Sequence, residues 1–193
     1  MNANENQRIL YAVFENGIQL PILDITHPLF NASIDEQAYH LNCLKSVRSI
    51  ESLKKMPGFI QNIFVKMSNV DNSYFSGMRT LLYKLGPNLS RGIKLGFRDK
   101  WEVKQTSFMG LRIRLRDLCQ RQSKILQPQL KQFPERNLCF FNIAGGAATD
   151  SINTLILLQE SEPELLRSRK IEINILDIDT YGPNFAKRCI DVL

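Results

Sequence analysis

The sequence predicts an α/β chain in which a mainly helical front precedes a parallel strand–helix–strand–helix unit. Three observations carry this. Apolar residues recur every three or four positions through most of the first two-thirds of the chain. Pro128 and Pro134 bracket a linker that closes that region. From Asn137 onward a continuous apolar run, a small-residue turn and an alternating apolar run follow in quick succession. The chain therefore divides into a helical region over 1–136 and an α/β region over 137–193.

In the helical region Ile9, Leu10, Val13 and Phe14 form a stripe that Gly17 can end. Residues 20–28 read as a connector, because Pro21 and Pro28 interrupt regular helix. Ser33 and Glu36 have capping-box spacing before Leu41, Leu44, Val47 and Ile50. Phe59, Ile60, Ile63, Phe64 and Met67 suggest a short helix after Pro57-Gly58. Tyr74, Met78, Leu81, Leu82 and Leu85 suggest another, stopped at Gly86-Pro87. The strongest helix signal is Phe108, Leu111, Leu115, Leu118, Cys119, Ile125 and Leu126, with Arg112, Arg114, Arg116, Arg121 and Lys124 on the remaining surface.

In the α/β region residues 138–143 suit a parallel strand covered on both faces. Thr149 or Asp150 can cap a helix carrying Ile152, Leu155, Ile156 and Leu158. Ile171, Ile173 and Ile175 alternate with Glu172 and Asn174, as in a strand. Pro183 or Asn184 opens a last helix. The 27 residues from 144 to 170 suffice for a right-handed crossover.

Composition narrows the function classes. Hydrophobic residues make up 44% and charged residues 23%, ordinary for a globular protein. No apolar run approaches the roughly 20 residues that span a bilayer, so no membrane partner is expected. The polar start and four cysteines without C-x-x-C spacing, with Cys119, Cys139 and Cys189 among apolar neighbours, point to a reduced, cytoplasmic protein with no metal site. The net charge of +6 is concentrated in residues 79–136, which alone carry +10. That segment, with Phe97, Trp101 and Phe108, makes nucleic acid or an acidic partner an alternative expectation. His27 and His40 stand without sequence partners and are read as core or surface residues.

Ligands of open parallel sheets bind beyond the carboxyl ends of the strands. Here those ends carry Asn142 with the turn Ala144-Gly145-Gly146-Ala147-Ala148, and Asp177-Ile178-Asp179. Glycines admit close backbone approach, and a carboxylate accepts hydrogen bonds from both ribose hydroxyls. Together they describe a nucleoside site. Neither register of the turn fits G-x-G-x-x-G, and Asp150 would repel a pyrophosphate at the helix start. Gly145-Gly146 is otherwise simply a tight turn, and Asp150, Asp177 and Asp179 are otherwise caps or solvated acids.

The stretch Asn142-Ile143-Ala144-Gly145-Gly146-Ala147-Ala148 resembles the first motif of class I S-adenosylmethionine-dependent methyltransferases, an acid, a hydrophobe and G-x-G-x-G. Asn142 takes the acidic place, and Ala144 and Ala148 replace the outer glycines. Asp177 stands nine residues before Ala186-Lys187, a spacing common for the family's second motif. The resemblance covers residues 137–193. It implies the first half of a Rossmann-like domain and S-adenosylmethionine as cofactor. Asp177 would take ribose, and Gly145 and Gly146 the methionine part, with Asn142, Ala144, Ala147, Ile178 and Asp179 beside them. It implies an enzyme that methylates a small molecule, with residues 1–136 as a lid or dimerisation region. No residue is assigned as catalytic base. A complete sheet of this family needs further strands, so a truncated product or expressed fragment is expected. Two strands alone leave open edges and an uncovered apolar face, which favours self-association. The alternative is a non-catalytic interaction module with a degenerate nucleotide-type fold.

Overall fold

The computed structural model describes residues 8–14, 17–46, 77–91, 93–94, 99–100, 103–104, 106–167 and 169–193. The fold is mixed α/β, with helices and two small sheets, one of them a parallel pair. The continuation of the Ser33 helix to Val47 and Ile50 and the helix expected over 59–67, along with Tyr74, Phe97 and Trp101, lie outside the described residues.

Strands β1 (Tyr11–Val13) and β2 (Gln19–Pro21) form an antiparallel hairpin where a helical stripe was expected. Ala12 is buried between exposed Tyr11 and Val13, the period of a strand. Gly17 sits in the turn at φ 75°, a left-handed conformation that suits glycine. Pro21 ends an edge strand, and Pro28 opens a helix; neither is a connector residue.

Helix α1 (Pro28–Ser46) therefore begins before the expected capping box. His27 supplies the first-turn acceptors: its carbonyl takes the Phe30 N–H at 3.0 Å and its Nδ1 the Leu29 N–H at 3.1 Å. Ser33 lies inside the helix, donating to the Leu29 carbonyl and accepting from the Asn88 N–H. Helix α2 (Gly77–Leu89) kinks at Gly86, where φ is 74°, and resumes through Pro87. Helix α3 (Thr106–Gln132) runs past Pro128, which lies on its exposed face, so the linker shrinks to a few residues after Gln132. The Arg169 guanidinium closes the end of α3 by donating to the carbonyls of Leu130, Phe133 and Arg136.

The α/β region follows its expected order. Strand β3 (Leu138–Ile143), helix α4 (Thr149–Ser161), a single helical turn α5 (Glu164–Arg167), strand β4 (Ile171–Leu176) and helix α6 (Tyr181–Ile190) succeed one another. Strands β3 and β4 are parallel, with Leu138 opposite Ile171 and Ile143 opposite Leu176. One face of the pair packs Phe140, Ile173 and Ile175 toward the interior. The other leaves Phe141, Ile143, Leu176 and Ile178 exposed, so β3 is covered on one face and not on both as its apolar run predicts, because no described element layers the second face.

One core joins the two regions. Phe30, Leu81, Leu85, Leu115 and Cys119 pack in the same cluster as Ala148, Ile152, Phe185 and Cys189. Fully buried Asn153 crosses the boundary with hydrogen bonds: its Oδ1 accepts the Ile25 N–H at 2.8 Å, and its Nδ2 donates to the Leu23 and Thr149 carbonyls. Arg188 donates to the Val13 carbonyl at 2.7 Å, tying α6 to the hairpin.

Two further expectations are corrected by burial. Arg112 is 0% exposed, not a surface residue of α3. Its guanidinium donates to the Tyr83 carbonyl at 2.6 Å and to Gln37 Oε1, with no carboxylate paired to it among the described residues. Burial pulls its pKa down to about 10. Cys139, expected in apolar surroundings, is exposed, whereas Cys119 and Cys189 are buried. Among the described residues no helix is long and apolar enough to cross a membrane.

Candidate functional site

The bend after β3 is held in an unusual backbone conformation. Ala144, Gly146 and Ala148 have φ of 52°, 51° and 47°. These are the three positions at which G-x-G-x-G would carry glycine. Left-handed backbone is costly for alanine, so the surrounding contacts must hold it there. The bond from Ala144 N–H to the Leu176 carbonyl, 2.7 Å, continues the parallel ladder into the bend, and Ala148 N–H reaches the Gly145 carbonyl at 2.9 Å. Gly145 is required by space: a methyl group there would stand 2.5 Å from the Asn142 Cβ.

Asp177 follows β4 and reaches across to the bend. Its Oδ2 accepts the Gly146 N–H at 2.7 Å and its Oδ1 the Asp179 N–H at 3.2 Å. Asp179 Oδ1 in turn accepts the Gly182 N–H at 3.1 Å, in the first turn of α6. The carboxylate and the glycine bend are thus fixed against each other across adjacent parallel strands.

A cavity of about 480 Å³ opens at this end of the sheet. The bend residues Ala144, Gly145, Gly146 and Ala147 form one wall, and Ile143, Leu176, Asp177 and Ile178 form another. The third wall comes from α2, through Thr80, Leu81 and Lys84, with Thr149 at the start of α4. The lining is mostly apolar, with opposite charges on Asp177 and Lys84.

Six of the eight residues expected from sequence line this cavity: Ala144, Gly145, Gly146, Ala147, Asp177 and Ile178. Asn142 does not. Its amide exchanges hydrogen bonds with the Ser151 hydroxyl at 3.0 and 3.1 Å, fastening β3 to α4. Asp179 also stands outside the lining and serves the start of α6. Asp150 is not the N-cap of α4; that position is Ala148, with no side-chain cap. Instead Asp150 Oδ1 lies 3.1 Å from the Lys84 ammonium. The last helix opens at Tyr181 rather than at Pro183 or Asn184.

Sequence reasoning missed Lys84, whose ammonium donates to Thr149 Oγ1 at 2.7 Å. The available signal was a cation between Leu81 and Leu85 of the apolar stripe, one turn after Thr80. Behind this corner the buried Cys119 thiol donates to the Asp150 carbonyl at 3.4 Å. Burial and, secondly, the Asp150 charge push its pKa up to about 12, so it is protonated and inert as a nucleophile at neutral pH.

No family model, no curated protein and no solved structure matches the chain.

Proposed function

We infer that the chain is the cofactor-binding portion of an S-adenosylmethionine-dependent methyltransferase, with β3, α4, β4 and α6 as the opening half of a Rossmann-like domain. The single observation that carries this is the Asp177–Gly146 hydrogen bond, which joins the two motifs across neighbouring parallel strands. The left-handed φ at all three glycine positions of the first motif supports it further.

The residues fit the cofactor's chemistry. Asp177 offers acceptor sites to ribose hydroxyls, since a carboxylate has about four lone-pair positions. Ile143, Leu176 and Ile178 offer apolar surface to a purine. The backbone of Gly145 and Gly146 borders the cavity without side chains. When bound, the cofactor supplies an electrophilic methyl group. The chain's own residues hold it in place, and the rate gain comes from orientation against a small-molecule acceptor.

Calorimetry of the 193-residue chain with S-adenosylhomocysteine tests the reading. Saturable binding is expected, weakened about ten- to a hundredfold in Asp177→Asn through loss of charge-assisted bonds. Absence of binding by the unmodified chain overturns it.

One observation favours a second reading, a non-catalytic interaction module: the exposed apolar face of Phe141, Ile143, Leu176 and Ile178. It is preferred if the nucleoside does not bind.

A further inference from the structure

The cavity carries opposite charges on different walls. Asp177 follows strand β4, while Lys84 projects from helix α2, an element of the helical region. The Lys84 side chain is mostly buried, and its ammonium is held by Thr149 Oγ1 at 2.7 Å and Asp150 Oδ1 at 3.1 Å. An ammonium has three donors, so these two bonds leave one. Asp150 lies behind this contact and does not line the cavity, whereas Lys84 and Thr149 do.

Fold stability alone gives little reason for a cation here. The start of a helix carries partial positive charge, which disfavours a lysine and favours an aspartate. A partly exposed ion pair adds little stability in return. The arrangement makes sense if the corner receives an anionic group from the cavity side, with Asp150 holding the ammonium in place.

We propose that Lys84 binds the carboxylate of the ligand's amino-acid end, making the cavity selective for a nucleoside conjugate that carries a free carboxylate. This rests on the nucleoside reading and deepens it. Asp177 faces the hydroxyl-bearing sugar, and Lys84 faces the α-carboxylate. The helical region thus supplies a specificity determinant for a ligand whose other contacts lie in the α/β region.

The test compares S-adenosylhomocysteine with its carboxyl methyl ester, which keeps the nucleoside, thioether and amine but removes the negative charge. Calorimetry of the unmodified chain is expected to show the acid binding about ten- to a hundredfold more tightly than the ester, the range of one charge-assisted hydrogen bond. Lys84→Gln removes that preference, and Lys84→Arg retains most of it; circular dichroism checks that both variants are folded. Equal affinity of the unmodified chain for acid and ester overturns the proposal while leaving the nucleoside reading intact, and so does an ester penalty that persists in a folded Lys84→Gln. If the unmodified chain binds neither compound, both the proposal and the nucleoside reading are overturned.

Discussion

Gly182, in the first turn of α6, packs directly against the backbone of Gly146 in the bend after β3. A methyl group at Gly182 would stand 2.6 Å from the Gly146 carbonyl carbon and 2.8 Å from its Cα. Backbone cannot rotate out of the way as a side chain can. Gly182→Ala is therefore expected to destabilise the chain by about 1–3 kcal/mol, the usual range for overpacking. Urea denaturation reads this directly. A change below about 0.5 kcal/mol, within ordinary surface-substitution effects, would show that α6 is not seated on the bend.

The two left-handed alanines respond differently to glycine. Ala144 is exposed, so Ala144→Gly relieves backbone strain at the expense of unfolded-state entropy. A gain of about 0.5–1 kcal/mol is expected, seen as a higher melting temperature. Ala148 is buried, so its glycine variant also forfeits methyl burial of about 0.8 kcal/mol and is expected to be near neutral. Equal gains at both positions would contradict this.

Arg112 spans two acceptors, the Tyr83 carbonyl and Gln37 Oε1, with two nitrogens of one planar group. A lysine keeps the charge but loses the fork, and its ammonium is more strongly hydrated. Arg112→Lys is expected to cost about 2–3 kcal/mol, since a buried acceptor loses its partner. Chemical denaturation at neutral pH measures it. A cost typical of exposed sites, under about 0.5 kcal/mol, would place Arg112 in solvent.

Alkaline pH is expected to weaken the fold through two thiols. Burial pushes both Cys119 and Cys189 from 9.0 up to about 12. The folded form holds these protons while the unfolded form releases them. Their contribution is therefore whole below pH 9 and is lost as pH rises toward 12. Each thiol loses about 1.4 kcal/mol per pH unit within that window. Denaturation at pH 8 and pH 10 should show a drop that the Cys119→Ala, Cys189→Ala double variant lacks. An equal drop in the double variant would assign it to other groups.

The α/β region was legible because its signals are local and redundant. Leu138–Ile143 is nearly all apolar, Ile171–Leu176 alternates, and a small-residue turn separates the first strand from its helix. The hairpin was not legible. Three-residue strands are too short to show a period, and Ala12 is the only wholly buried residue of β1. The start of α1 was masked by Ser33 and Glu36, which mimic a capping box inside the helix, while the acceptor at the true start is a histidine. Arg112 and Lys84 share a cause. Pattern reading assigns charged residues to the solvent face, and only the packing of α2 against α3 and the bend shows that these two point inward. The bend and Asp177 were therefore readable as a candidate site, and its third wall was not.

The hydrogen bond between Asn153 and Ile25 joins residues 128 positions apart in the sequence. At ribosomal rates of roughly 5–20 residues per second, the segment holding Ile22, Leu23 and Ile25 emerges on the order of ten seconds before its partner exists. Leu81, Leu85 and Leu115 of the same core emerge within that interval, but the Ile25 N–H still lacks the acceptor that the finished fold gives it. The buried polar closure between the hairpin-to-α1 segment and α4 is thus a late event of synthesis, completed only when translation has passed α4.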